Sequence, residues 1–161
     1  MDMNCPDLII QWMEFPFEFI NPEYKAGLDF SMESLKLANQ GLGELKAGMK
    51  DWPQDNFQQM LNMVVLGWGA YIGETVRRSY PAWTWDFPDP STGELPQLVH
   101  EGLGGVGRMV WPAVKMALAR LHDDELDVAL CTRIQMEEVA QAITRYENNR
   151  ELWEKELEEP T

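Results

Sequence analysis

The stretch QDNFQQMLNMVVLGWGAYIGETVRRSY, residues 54–80, decides the fold. Within it Phe57, Met60, Leu61, Val64, Trp68, Tyr71, Ile72 and Val76 recur at spacings of three and four, the signature of a long helix with one apolar face. Gly67, Gly69, Ala70 and Gly73 interrupt that stripe with small residues. Each such glycine costs roughly 1 kcal/mol of helix stability, so their presence predicts another element packed close against that side. Arg77 and Arg78 fall in the last turn, where cations complement the helix dipole. Pro81 then ends the element. A helix of this length and pattern is the central strut of a domain.

Working outward, Trp83, Trp85 and Phe87 alternate with Ala82, Thr84 and Asp86, which predicts a strand with three rings on one face. Residues 88–93 are rich in turn formers, and Leu95 to His100 can return as a second strand. A glycine-rich loop, Gly102 to Gly107, leads to Trp111-Pro112, with Pro112 at the opening of a helix through about His122. Upstream, Ser31 can cap a helix carrying Leu35, Leu37, Ala38, Leu42 and Leu45, which Gly48 and Pro53 end. Pro6-Asp7 opens a short helix, and Phe15-Pro16-Phe17-Glu18-Phe19 alternates at period two and reads as extended. Asp123-Asp124-Glu125 opens one more segment. From Gln135 to Glu159 a narrow stripe of Val139, Ile143, Tyr146, Trp153 and Leu157 predicts a helix with a heptad-like seam. Val139 to Tyr146 is expected to lie on its own domain, and Trp153 to Leu157 to be free for a partner. The expectation is one α+β domain, mostly helical, with a single β-hairpin packed on the central helix. Residues 147–161 are a candidate acidic helical extension.

Charge is the strongest global feature: 13 basic against 27 acidic side chains in 161 residues leave −14. That field repels phosphate backbones and anionic lipid surfaces, so nucleic-acid and membrane partners are disfavoured. It favours a basic protein partner instead. Twelve of the acids lie beyond His122, against four basic residues. Cys5 and Cys131 offer no disulfide framework. The start, Met-Asp-Met-Asn, lacks the basic region and the small-residue cleavage site of a signal peptide, which gives a cytoplasmic expectation.

Two segments together are similar to known sequences: Leu28-Asp-Phe-Ser-Met-Glu-Ser-Leu35, and some thirty residues on, Gly69-Ala-Tyr-Ile-Gly-Glu74. They resemble small uncharacterised bacterial domains in which a Gly-Ala-Tyr-Leu-Gly-Glu helix precedes a tryptophan-bearing strand and a proline-led segment. Here Trp83 or Trp85, and Pro112, stand at the matching places. The resemblance covers about residues 25–122, implies an α+β domain, and carries no established activity.

Chemistry-bearing constellations are few. Gly102-Leu-Gly-Gly-Val-Gly107 spells the dinucleotide-binding fingerprint, but Trp111-Pro112 delays the helix and no second parallel strand follows, so no nucleotide cofactor is expected. His100 and His122 are the only histidines, and neither lies among ligands at zinc spacing, so no metal is expected. Glu74 is the most interesting carboxylate. Buried beside small residues, its pKa would rise, as a general acid requires; paired with Arg77 or Arg78, it would be structural. The favoured expectation is an acidic protein-binding module that neutralises a basic partner, such as an immunity-type inhibitor of a bacterial toxin. Glu147, Glu151, Trp153 and Leu157 are its candidate binding residues. The alternatives are a small hydrolase or transferase using Glu74 and His100, and a structural subunit that forms a homodimer through the last helix.

Overall fold

The computed structural model describes residues 5–18, 22–102 and 108–158. Among the described residues six α-helices and three strands follow one another as α1 (Asp7–Glu18), α2 (Pro22–Ala26), α3 (Leu35–Gly48), α4 (Phe57–Ser79), β1 (Trp83–Asp86), β2 (Gln97–His100), β3 (Met109–Trp111), α5 (Ala113–His122) and α6 (Val128–Glu158). The α+β architecture, mostly helical with a hairpin against helices, matches the sequence expectation.

α4 is the central strut. From Val64 to Val76 every residue except Leu66 is buried, because α1 packs on one side and α5 on another. The small residues make the second contact possible. A Cβ on Gly69 would lie 2.6 Å from the Val114 Cα, and one on Gly73 would run into the Trp85 ring and Ala113. On the α1 side, Ile9, Met13 and Phe17 step along the helix at intervals of four. Phe17 meets Trp68 and Tyr71 edge-on at 5.7 and 5.6 Å.

That packing overturns the extended reading of Phe15 to Phe19, since the backbone is helical through Glu18. Pro16 removes one helical hydrogen bond, but the i, i+4 apolar face buried on α4 outweighs the local period-two pattern. Phe19 lies outside the described residues.

The sheet has one strand more than expected. Strand order is β1-β2-β3, both pairs antiparallel, with Trp83 opposite His100 and Leu98 opposite Trp111. Trp83, Trp85, Leu98, His100, Met109 and Trp111 share one face. Trp83 is buried and Trp85 half-buried, as the alternation predicts, whereas Phe87 lies beyond the strand, exposed, and stacks on Trp85. The return strand begins at Gln97, after Pro96.

The C-terminal third is a single helix of 31 residues, about 46 Å long, where the sequence suggested two segments. Asp127 starts it by accepting the Leu130 N–H at 3.1 Å. The Asn39 side-chain oxygen accepts both Arg120 Nε at 2.8 Å and the Val128 N–H at 3.1 Å, tying α3, α5 and α6 at one point. Val128, Thr132 and Met136 are buried, and Val139 and Ile143 half-buried. Beyond Ile143 every side chain of α6 that is described is exposed. The helix therefore leaves its own domain before Tyr146, earlier than expected. Among the described residues no helix is long and apolar enough to cross a membrane.

Candidate functional site

Glu74 sits on the face of α4 that β1 covers, with no exposed surface at all. Its carboxylate is held from four sides. Arg77 donates through Nε to Oε1 at 2.6 Å and through Nη2 to Oε2 at 2.7 Å. Arg78 Nε donates to Oε2 at 3.0 Å, and the Trp85 indole N–H donates to Oε1 at 3.2 Å. Burial alone pushes the carboxyl pKa up, but the hydrogen bonds from Arg77, Arg78, Cys5 and Trp85 together hold it below its usual value. The rise that a general acid needs is thus absent, and Glu74 is an ionised structural group.

Cys5 shares that site. Burial, then the hydrogen bond and the charge of Glu74, drive its thiol up to about 12 against the pull of the two arginines. It stays protonated and unreactive at neutral pH.

The same stretch of α4 organises the segment before α3. The Tyr71 hydroxyl accepts the Phe30 N–H at 3.1 Å and lies 2.6 Å from Ser34 Oγ. Ser34 Oγ already donates to the Ser31 carbonyl at 2.6 Å, so Tyr71 is the donor in that pair. Phe30 has φ +62°, costly for a bulky residue. The Tyr71 bond holds it there, and so does the Arg78 guanidinium, 3.8 Å from the Phe30 ring centre. Ser31 then caps the turn that opens α3, accepting from the Ser34 N–H. Each member of Gly69-Ala-Tyr-Ile-Gly-Glu74 is accounted for by packing: two glycines for close approach, two apolar residues for the core, Tyr71 and Glu74 for buried polar ties.

His100, the other catalytic candidate, is on β2, where its Nδ1 accepts the Gly102 N–H at 2.8 Å and its ring meets Trp83 edge-on. Among the described residues no hydrogen bond joins it to Glu74. The fingerprint-like loop lies outside the described residues from 103 to 107. The acids around His122 have local partners: Asp123 accepts the Glu125 N–H, Asp124 pairs with Lys46 at 2.8 Å, and Asp127 caps α6. Among the described residues no group of three His, Cys, Asp or Glu is placed to hold a metal.

The remaining candidates are on the projecting half of α6. Glu147 and Glu151 are exposed, and Glu154, 3.7 Å from Arg150 Nε, and Glu158 continue at spacings of four, three and four, so the four form one row. Leu157 is 72% exposed. The Trp153 side chain lies outside the described residues.

Sequence reasoning missed one feature. An open groove of about 740 Å³ lies between β3, α5 and the middle of α6, walled by Met109, Trp111, Met116, Leu126, Met136 and Val139. The Trp111 indole N–H donates to Gln135 Oε1 at 2.6 Å across it. β3 supplies one wall, and three residues before a proline carry too little pattern to be read as a strand. Neither a family model, nor a curated protein, nor a solved structure matches this chain.

Proposed function

We propose that the chain is an acidic protein-binding module that neutralises a basic partner, the role of an immunity-type inhibitor of a toxin. The observation that carries this reading is the row of solvated carboxylates Glu147, Glu151, Glu154 and Glu158 on a helix that has left its own core. In a chain of net charge −14, such a row concentrates the field at a projecting, accessible place. The one carboxylate buried among the described residues, Glu74, is tied to two arginines, which supports binding over an acid–base reaction at that position.

Recovery of the partner from the native host, followed by association kinetics, tests the reading. The on-rate is expected to fall steeply between low and physiological salt, and Glu147→Lys with Glu151→Lys to slow association by tenfold or more, since steering contributes roughly 10–1,000-fold. An on-rate indifferent to both salt and charge reversal would contradict it.

A further inference from the structure

Resting on that reading of α6, we propose that the partner's recognition element is an amphipathic helix with a basic flank, seated in the groove between β3, α5 and α6 and running on along the exposed half of α6. The groove and the projecting helix form one continuous surface. Val139 and Ala142 line the groove. At about 100° per residue, Tyr146 and Leu157 fall within roughly 20° of Val139 and roughly 60° of Ala142, so the apolar face that starts in the groove carries on past the domain. The acidic row lies about 110° further round the same helix. Anything resting on the apolar face therefore meets, past Arg150 and its ion pair with Glu154 at 3.7 Å, the carboxylates of Glu147, Glu151 and Glu158 along one flank, and the excess of acid there asks for lysine or arginine.

Shape and chemistry fit a helix. The groove of about 740 Å³ is open on one side, so it has room for the apolar side chains of one helix face while the rest of that helix stays outside. From Gln135 to Leu157 the surface is about 33 Å long, enough for a helix of about 22 residues. Met109 and Met116, both half-buried, supply flexible, polarisable contacts above the buried Met136, as in other grooves that take apolar helix faces. A second copy of this chain is the poorer occupant. In an antiparallel pair of α6 helices like flanks meet, so one acidic row would face the other.

The test uses three 21-residue peptides titrated calorimetrically into the full chain: a Leu/Lys peptide with leucines at helical spacing, a peptide of the same composition with the leucines spread round the helix, and a Leu/Glu counterpart of the first. The amphipathic Leu/Lys peptide is expected to bind at least tenfold tighter than the permuted one, and the Leu/Glu peptide not to bind. Ala142→Lys, at an exposed position in the groove, should cost the amphipathic peptide at least tenfold and leave the permuted one unchanged. Glu147→Lys with Glu151→Lys should weaken both. Equal affinity for the two Lys peptides, insensitive to Ala142→Lys, would overturn the groove while leaving the electrostatic reading of function intact. If neither Lys peptide binds, both readings fall. A dimer in sedimentation that Ala142→Lys dissociates would show the groove to be filled by a second copy, which also overturns the proposal.

Discussion

Replacing Glu74 by glutamine keeps the side chain's shape and removes its charge, and the structure fixes what is lost. Four N–H donors converge on the carboxylate: two from Arg77, one from Arg78 and one from Trp85. Glutamine offers one acceptor oxygen, and its amide nitrogen turns a donor toward the arginines. Both guanidiniums, with side chains 13% and 25% exposed, then lose the charge of Glu74. Breaking a buried pair by removing one partner costs about 3–5 kcal/mol. In a domain of this size each kcal/mol shifts the melting temperature by about 2–4 °C, so Glu74→Gln is expected to melt about 6–20 °C lower. Thermal unfolding followed by circular dichroism measures this directly. A triple change, Glu74→Gln with Arg77→Met and Arg78→Met, should recover part of the loss, because no uncompensated charge remains. A shift under about 2 °C for Glu74→Gln would refute the account of α4, and would free the carboxylate for chemistry.

Three further outcomes follow from the same geometry. Since the folded-state pKa of Glu74 is depressed, its contribution is fully present above the unfolded carboxyl value of about 4.5 and is lost as pH falls through the folded one; urea midpoints below pH 4.5 should therefore fall less steeply in Glu74→Gln than in the parent. Gly73→Ala forces a methyl into the Trp85 ring and should cost about 1–3 kcal/mol in chemical denaturation, whereas Gly48→Ala, in open space, should not destabilise. An alkylating reagent at pH 8 should label half-exposed Cys131 and spare Cys5 until denaturant is added, which peptide mass mapping resolves.

What could be read from the residues alone depended on how far each pattern extended. α4 was legible because eight apolar positions agree on one face, and its glycines foretold the close approach of α5 and Trp85. The hairpin was legible from alternating tryptophans, and the pairing of Glu74 with Arg77 or Arg78 from their spacing of three and four. β3 was not legible, because three residues carry no period. α1 was misread at Pro16, where a local alternation competed with a tertiary contact that only the partner helix reveals. The groove could not be foreseen, since it arises from β3, α5 and α6 meeting after long connections. The point at which α6 leaves the domain was placed too late for the same reason: the heptad-like stripe continues unchanged whether or not anything covers it.

The central claim is that the fold is complete without the end of α6, and that this end serves recognition. Ending the chain after Asn149 removes no buried side chain among the described residues, and it takes away Glu151, Glu154, Leu157 and Glu158. The shortened protein is expected to melt within about 2 °C of the parent, since changes to exposed positions typically stay within about 0.5 kcal/mol. Its affinity for the amphipathic Leu/Lys peptide, measured by calorimetry at low salt, is expected to drop at least tenfold. A shortened chain that unfolds, or one that keeps the full affinity, would contradict the account.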